Sequence, residues 1–273
     1  MPELPEVETI KKDLLPFLIG KTFTTINVYW PRMALEPSFD EFCRQIPGQK
    51  VEEISRRGKY LVMHLSSGQA LVFHMRMTGS LLYMQDFDSI NKGIKYITAA
   101  FGLDSGAHLL FCDRRKLGTI ALVDNTNKLE NKLGPEPLDS NFTSEAFKSR
   151  LKARKASIKA ILCDQKVIAG IGNMYADESL FTARIHPLRP AENLSEAEME
   201  QLHQAIQEVL LRGIANAGAS FSDYCRPNGE PGIQQDSFMV AHRGGEPCHV
   251  CTTPIVRIPI RNRGTYFCPN CQV

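Results

Sequence analysis

The chain has 273 residues, of which 43% are apolar and 23% are charged, a balance typical of a globular protein with a sizeable core. No apolar run approaches the roughly 18 residues that a membrane-spanning helix needs, and the acidic N-terminal segment lacks the apolar stretch of a secretory signal. The formal net charge of +2 does not by itself indicate a nucleic-acid partner. Composition therefore predicts a cytoplasmic protein of one large or two medium domains and leaves its function open.

The first predicted element is a helix that begins within MPELPEVETIKKDLL. Proline suits a first helical turn because its missing N–H is not needed there, and acidic residues complement the positive end of the helix dipole. Val7, Ile10, Leu14 and Leu15 form an apolar stripe at helical spacing. An amphipathic helix with a strong start is the simplest interpretation. It does not explain why so stiff a start lies in the first residues of the chain, where segments usually fray.

Short segments rich in Val, Ile, Phe, Tyr and Thr follow from about residue 21 to residue 123, separated by turn residues. Their spacing predicts an antiparallel sandwich or barrel. The segments are TFTTINVYW, VEEISRRG, KYLVMHL, QALVFHMRM, SLLYMQ, YITAAFGL, HLLFCD and TIALVD. Residues 132–139 then carry the Pro and Gly of a linker.

Beyond the linker the hydrophobic period becomes helical. The predicted helices are TSEAFKSRLKARK with its cap at Thr143 or Ser144, SIKAILCDQKV, a helix that follows GIGN and ends at Phe181, and SEAEMEQLHQAIQEVLLRGIANAG. Residues 225–232, CRPNGEPG, are predicted to be a mobile loop. The GIGN turn offers N–H groups and an amide to an anion, although an ordinary asparagine cap has the same appearance.

Basic charge is concentrated in the second half of the chain. Residues 148–159 hold six basic residues and no acid, and residues 248–273 hold three arginines and no acid. Such clustering is typical of a polyanion-binding surface. A solvated helix face accounts for the first run equally well.

Two C-x-x-C pairs near the C-terminus are separated by sixteen residues. This spacing predicts a tetrahedral zinc site with the ligands Cys248, Cys251, Cys268 and Cys271. Four cysteines leave no coordination position for water, so the zinc ion is expected to be structural. The β-branched residues between the pairs predict a β-hairpin that presents Arg257, Arg261 and Arg263.

Several motifs together resemble the bacterial formamidopyrimidine-DNA glycosylase family, and the resemblance covers essentially the whole chain. They are the opening PELPEVET, GIGNMYADE at 170–178 and RGTYFCPNCQ at 263–272, with RRGKYL at 56–61, HMRMTGS at 74–80 and LGPEPL at 133–138 between them. The combination is far more specific than any single motif.

The resemblance implies an α+β fold in which an antiparallel β-sandwich with a catalytic N-terminal helix precedes a helical helix–two-turn–helix domain and a four-cysteine zinc β-hairpin. The implied boundaries are 1–131 for the catalytic domain, 132–139 for the linker, 140–244 for the helical DNA-binding domain and 245–273 for the zinc hairpin. One structural zinc ion is expected, with no redox or organic cofactor. The expected partner is double-stranded DNA with an oxidised base or an abasic site, bound by a monomer in the bacterial cytoplasm, associated with the nucleoid through DNA.

The resemblance also offers a reason for the unusual start of the chain. In the family the initiator methionine is removed, and the amine of the terminal proline, here Pro2, is the nucleophile that attacks C1′ of the damaged nucleotide. Glu3 matches the general acid, and Glu6 matches a supporting carboxylate. Lys59 matches a lysine that takes part in proton transfer and phosphate contact. Arg263 matches an arginine of the second elimination step that also binds phosphate.

Five further positions match residues that handle DNA in the family. Arg154, Lys159 and Asn173 match contacts to phosphate or lesion, Met77 matches the residue that fills the space left by the flipped base, and Arg115 matches the arginine that faces the orphaned cytosine. Without the family context, a core methionine would be the simpler interpretation of Met77.

Two departures from the family pattern stand out. The family usually has a proline after the aspartate and an aromatic wedge, whereas this chain has DRRKLG at 113–118, so Leu117 takes the place of the wedge. The family often has a histidine directly after a lysine in this region, whereas here Lys92 is followed by Gly93, so the expected histidine is missing. Both departures concern DNA handling, and the catalytic matches are all present.

The resemblance therefore predicts a bifunctional glycosylase and abasic-site lyase of base excision repair, which removes oxidised purines through a Schiff base at Pro2 followed by β,δ-elimination. One alternative is a glycosylase of the endonuclease VIII type, which acts on oxidised pyrimidines; Leu4 disfavours it, since that group usually has glycine there. The other alternative is a catalytically silent protein that binds damaged DNA.

Overall fold

The computed structural model describes residues 1–86, 93–221 and 223–273. The chain divides into two compact units, which are Met1–Glu130 with Asn216–Ile233, and Asn131–Ala215 with Gln234–Val273. The segment 216–233 thus belongs with the N-terminal unit, whereas the domain boundaries predicted from sequence place it with the helical region. Lys92, after which the family often has a histidine, lies outside the described residues.

The first unit contains two four-stranded antiparallel sheets, with strand orders β1-β6-β7-β5 and β2-β3-β4-β8. All eight predicted strands are present. They are β1 (Phe23–Val28), β2 (Val51–Arg57), β3 (Tyr60–Leu65), β4 (Ala70–His74), β5 (Gly79–Met84), β6 (Ile97–Leu103), β7 (His108–Asp113) and β8 (Thr119–Val123). The α+β class and the antiparallel sandwich are therefore confirmed.

One hydrophobic core joins the two sheets. Phe73 of β4 meets Phe101 of β6 and Phe111 of β7, with ring centroids 5.9 Å and 6.0 Å apart in edge-to-face arrangements. The apolar stripe of helix α1 (Leu4–Leu18) packs on this same core. Leu18 is buried as the next member of the stripe after Leu14, whereas Leu15 is only half-buried. Packing on the sandwich core holds in place a helix start that would otherwise fray.

Two short helices of the first unit were not predicted. They are α2 (Phe39–Gln45) and α3 (Asn127–Glu130). The start of α2 does have a sequence signature, since Ser38 and Glu41 form a capping box, with the Ser38 N–H and hydroxyl both donating to Glu41 Oε2.

The second unit contains the four predicted helices and the predicted hairpin. They are α4 (Ser144–Leu151), α5 (Ile158–Leu162), α6 (Asn173–Thr182), α7 (Glu196–Ala215), β9 (Val256–Ile260) and β10 (Arg263–Phe267). Helix α5 is shorter than predicted because the chain turns at Asp164, whose carbonyl accepts from the N–H groups of Val167 and Ile168. Among the described residues, no helix combines the length and the hydropathy that a membrane span requires.

Candidate active site and nucleic-acid interface

The start of helix α1 places two buried carboxylates directly after Pro2. Glu3 is the N-cap residue, with an extended backbone, and its side chain accepts from the N–H of Glu6. Glu6 returns the contact, because its Oε2 accepts from the N–H of Glu3 at 2.7 Å. This reciprocal capping box fixes both side chains, and Pro2 is itself buried. The two acids predicted to be catalytic thus also define the first turn of the helix.

Glu6 is held from a second direction by the segment 216–233. Its Oε1 accepts from the N–H of Ala219 at 2.9 Å. Gly218, just before, has a φ of +76°, and a Cβ built there would lie 2.8 Å from Glu6 Cγ. Both the left-handed backbone and the close approach therefore require glycine at this position. Sequence analysis missed this contact, which joins residues 213 positions apart.

The rest of this segment is also anchored to α1. The guanidinium of Arg226 makes two hydrogen bonds to the carboxylate of Asp13, at 2.8 Å and 3.1 Å. The Tyr224 hydroxyl donates to the carbonyl of Ala217 at 3.1 Å, and burial raises the pKa of this phenol. Residues 225–232 form a loop, the mobility of which stays a prediction, and the paired Arg226 ties this loop to helix α1.

Lys59 lies in the two-residue turn between β2 and β3, and only 5% of its surface is exposed. The turn is tied to α1 through Arg56, whose guanidinium donates to Glu8 Oε2 at 2.9 Å and to the carbonyl of Gly58 at 3.1 Å. Burial, followed by the positive charges of Arg76 and Lys59, lowers the pKa of the nearby His74 to about 3. His74 is therefore neutral, and its Nδ1 accepts from the N–H of Arg76 at 3.0 Å.

The turn at 75–78 presents Met77 to solvent. Met77 is 44% exposed, and Arg76 before it has a left-handed backbone with φ of 54°. The interpretation of Met77 as a core methionine is therefore wrong. An exposed apolar side chain on a tight turn is a suitable group for insertion into DNA.

The loop at 114–118 presents Arg115 and Leu117, which are both exposed. Leu117 is 45% exposed, and the Lys116 ammonium lies 4.4 Å from the ring centroid of Trp30. The backbone of this loop folds around the buried carboxylate of Asp113. Sequence analysis assigned no role to Asp113.

In the second unit, Lys159 is only 1% exposed. Its ammonium forms an ion pair with the buried Asp177 and donates to the carbonyl of Asn173 at 2.7 Å. The ammonium charge is therefore paired inside the fold, and a contact of Lys159 to phosphate or lesion stays a prediction. Arg154, by contrast, is exposed, and its Nε donates to the carbonyl of Arg150 at 2.6 Å.

Two lysines of the basic run at 148–159 form ion pairs with acidic residues. Lys148 pairs with Glu200 at 3.1 Å and with Glu196 at 3.6 Å, and Lys152 pairs with Glu196 at 3.9 Å. These acids come from α7, which is distant in sequence. The acid-free run therefore acquires acidic neighbours on folding, and its value as a sign of polyanion binding falls.

The GIGNMYADE motif holds the zinc hairpin. Asn173 Nδ2 donates to the carbonyl of Gly264 at 2.7 Å, and Asp177 accepts from the N–H of Tyr266 at 3.2 Å. The neighbouring Glu178 accepts from the N–H groups of residues 239–241, and burial raises the pKa of this carboxyl despite those bonds. The polar residues of the motif thus serve internal contacts, and Asn173 lies directly against the residue that follows Arg263.

The four predicted zinc ligands come together. Their Sγ atoms all lie within 4.8 Å of one another, with Cys248 and Cys271 at 3.9 Å and Cys251 and Cys268 at 3.4 Å. A tetrahedral zinc–thiolate centre with bonds of about 2.3 Å requires sulfur separations of about 3.8 Å, so the cluster fits zinc. The Val250 N–H also points at Cys248 Sγ, at 3.4 Å.

The hairpin tip is a two-residue turn formed by Arg261 and Asn262, with φ of 45° and 61°. Arg263 begins the return strand and pairs with Ile260. A cavity of about 230 Å³ lies between the hairpin and α5 and is lined by Arg261, Arg263 and Lys159, among others. The two arginines therefore concentrate positive charge at the tip.

Comparisons with known proteins agree along the whole chain. Residues 1–120 match the formamidopyrimidine-DNA glycosylase N-terminal domain, residues 133–224 match the formamidopyrimidine-DNA glycosylase H2TH domain, and residues 245–273 match a zinc finger found in FPG and IleRS.

Among the relatives, the formamidopyrimidine-DNA glycosylase of Chloroflexus aurantiacus is 45% identical over 100% of this chain and 98% of its own length. That of Enterococcus faecalis is 40% identical over 100% and 97%. Among solved structures, Lactococcus lactis Fpg in complex with abasic-site DNA is similar with a TM-score of 0.92 at 33% identity, over 99% of both chains. A mutant of that protein in complex with Fapy-dG DNA gives the same values. The chain thus belongs to the formamidopyrimidine-DNA glycosylase family.

Proposed function

We propose that this protein is a DNA glycosylase and abasic-site lyase that removes oxidised purines, chiefly 8-oxoguanine and formamidopyrimidines, from double-stranded DNA in the bacterial cytoplasm. The observation that carries the proposal is the start of α1, where buried Pro2 precedes two carboxylates locked in a reciprocal capping box. The relatives named above and the Lactococcus lactis complexes with damaged DNA support the choice of substrate.

The first chemical step requires removal of Met1, which turns the Pro2 nitrogen into a secondary amine. This amine attacks C1′, and the bond between C1′ and the damaged base breaks. The electron pair of that bond leaves with the base, which takes up the proton that the Pro2 nitrogen gives up. Glu3 protonates the ring oxygen O4′ as the sugar opens, and the nitrogen lone pair completes an iminium ion. A nucleophile held in a ring at a buried helix start is confined near its target, which lowers the entropy lost in reaching the transition state.

The iminium ion then makes the 2′ hydrogen acidic. Its removal expels the 3′ phosphate by β-elimination, and a second elimination expels the 5′ phosphate. Water finally hydrolyses the imine and frees Pro2. We assign Lys59 to proton transfer and phosphate contact and Arg263 to the second elimination. Glu6 acts as a positioning group, because its contacts to Glu3 and Ala219 fix the first turn.

Binding is assigned to exposed groups. Met77 fills the space left by the flipped base, Arg115 faces the orphaned base, and Leu117 wedges the stack on the opposite strand. Arg154 is proposed to contact phosphate. Asn173 and Lys159, which are half-buried and buried, remain proposed contacts to phosphate or lesion, although both side chains also make contacts inside the fold.

Strand cleavage of matched duplexes tests the proposal. Duplexes carrying 8-oxoguanine, thymine glycol or an abasic site, each opposite the normal partner, are incubated with the protein under single-turnover conditions. The proposal expects cleavage of the 8-oxoguanine duplex to be at least about tenfold faster than that of the thymine glycol duplex, which is about 1.4 kcal/mol in barrier height. A reversed preference would assign the protein to oxidised pyrimidines. Binding without cleavage of any duplex would indicate a silent damage-binding protein.

A further inference from the structure

Asp113 is a buried carboxylate at the end of β7 that the chemistry above does not use. It is 1% exposed. Its Oδ2 accepts from the N–H groups of Leu117 at 2.7 Å and Gly118 at 2.6 Å, and its Oδ1 accepts from the N–H of Arg115 at 3.1 Å. Three backbone donors of the loop at 114–118, which we term the wedge loop, therefore converge on one side chain.

The same carboxylate also holds the turn at 75–78, which we term the filler turn. The Thr78 hydroxyl donates to Asp113 Oδ1, and its oxygen accepts from the N–H of Arg115 at 3.1 Å. The sheet register explains the meeting, because Gly79 pairs with Asp113 across β5 and β7. The filler turn ends where β5 begins, and the wedge loop begins where β7 ends, so both lie at one end of the sheet.

The packing around this cluster leaves little room for adjustment. A Cβ at Gly118 would lie 2.6 Å from the Phe111 ring and 3.1 Å from Asp113 Oδ2. A Cβ at Gly79 would lie 2.5 Å from the carbonyl of Met75. The absence of a side chain at both glycines therefore allows the two turns to pack this closely.

We propose that Asp113 and Thr78 are positioning residues that couple the filler turn to the wedge loop, so that Met77, Arg115 and Leu117 enter the DNA as one rigid unit. This inference rests on the proposed function. Inserting side chains between bases costs a few kcal/mol in unstacking, and a loop that changed conformation instead would not keep the side chains inserted. The coupling fixes the backbone from which Arg115 projects, so it determines how well the base opposite the lesion is distinguished.

Thr78→Val tests the coupling, because it removes the hydroxyl with little change in shape. The measured quantity is the ratio of kcat/KM for 8-oxoguanine opposite cytosine to that for 8-oxoguanine opposite adenine, with kcat and KM determined separately. The ratio should fall about fivefold, the effect of losing one net hydrogen bond, and the change should be mainly in KM. Thr78→Ser, which keeps the hydroxyl, should restore the ratio to within about twofold.

Thr98→Val is the matched control for a merely structural effect. The Thr98 hydroxyl is also buried in this sheet and donates at 2.9 Å to the carbonyl of Phe111, a backbone group of β7 rather than of the wedge loop. This variant should lower the thermal midpoint as much as Thr78→Val does, and it should leave the ratio unchanged. Equal changes in the ratio for the two variants would overturn the coupling.

Arg115→Ala separates failure of this inference from failure of the proposed function. If Arg115→Ala lowers the ratio and Thr78→Val does not, the reading of the opposite base stands and the coupling is wrong. If Arg115→Ala leaves the ratio unchanged, the proposed role of Arg115 fails and the coupling fails with it. A lower ratio in both Arg115→Ala and Thr78→Val, with the ratio restored in Thr78→Ser, is the result that supports the coupling.

Discussion

The start of α1 and the zinc hairpin are both held by specific contacts, but these contacts differ in how far apart their residues lie in the sequence. The hairpin takes all four ligands from residues 248–271, and each pair of thiols belongs to one tight turn. The start of α1 depends on Ala219, whose N–H reaches Glu6 across 213 positions of sequence. Local spacing therefore specifies the zinc site, whereas the candidate catalytic site exists only when the first unit is folded. Chemistry at Pro2 and metal binding at the hairpin should accordingly respond to different perturbations.

Loss of zinc should have the largest effect on structure and on DNA binding, and the structural change should be confined to the hairpin. Cys251→Ser removes one ligand from a centre whose binding free energy is on the order of 10 kcal/mol in small zinc domains. We expect loss of bound zinc and at least a hundredfold weaker binding to abasic-site DNA, measured by metal analysis and fluorescence anisotropy. Cys43→Ser, at a half-buried thiol outside the cluster, is the control and should retain both properties. Full DNA affinity in a zinc-free protein would show that the hairpin does not contribute to binding.

Lys159→Met should come next, because it leaves Asp177 buried without its partner. Removing one member of a buried ion pair costs about 3–5 kcal/mol of unfolding free energy. Urea unfolding measures this loss, with Lys152→Met as the exposed control, for which less than about 1 kcal/mol is expected. In the double variant Lys159→Met with Asp177→Asn, which removes the unpaired charge and keeps an acceptor for the Tyr266 N–H, we expect stability and DNA affinity to recover together in part. Recovered stability with lost affinity would instead mean that Lys159 contacts DNA.

Gly218→Ala should damage the start of α1 without affecting the zinc site. The left-handed backbone costs an alanine about 1–2 kcal/mol, and the new methyl group must also displace the Glu6 side chain. Gly229→Ala is the matched control, since Gly229 has φ of +86° and nothing within 4 Å of an added Cβ. Single-turnover strand cleavage should slow about tenfold or more in Gly218→Ala and stay near the wild-type rate in the control. Equal rates in the two variants would mean that the contact to Glu6 does not matter for the chemistry.

His74 should give the smallest effect at neutral pH, where its contribution becomes visible only as a dependence of stability on pH in acid. Its pKa is about 3 in the folded protein and near 6.5 in an unfolded chain, so below pH 6.5 the unfolded state binds a proton that the folded state does not. The stabilisation is present above pH 6.5 and is lost as the pH falls toward 3. It should amount to about 2 kcal/mol lost between pH 6.5 and pH 5. Denaturant unfolding at several pH values should show a shallower slope of unfolding free energy against pH for His74→Gln, and identical slopes would mean that folding does not lower the pKa of His74.

The sequence predicted those features that depend on local pattern. Alternating and β-branched residues located all eight strands of the sandwich, and cysteine spacing located the zinc site. The Pro and Glu residues of PELPEVET indicated a helix start, and family resemblance supplied its chemistry. Each of these signals lies within a few consecutive residues or one repeated spacing.

The features that escaped prediction are those made by tertiary contacts. Asp113 meets Thr78 only because β5 and β7 are in register, and Lys159 is paired only because α5 lies beside Asp177. The basic run meets Glu196 and Glu200 because α7 packs against α4. A linear sequence does not reveal which distant acid will neutralise a base, so the residues that handle DNA were harder to assign than the zinc ligands.

The most direct test that the start of α1 is the catalytic site is borohydride trapping on a duplex with 8-oxoguanine opposite cytosine. Mass spectrometry first confirms that Met1 is absent, and peptide mapping then locates the trapped adduct. We predict a covalent adduct on Pro2, weakened in Pro2→Gly, which still offers a primary amine, and lost in Glu3→Gln. If the processed protein cleaves the duplex but gives no adduct, or gives an adduct on a residue other than Pro2, then the start of α1 is not the catalytic site.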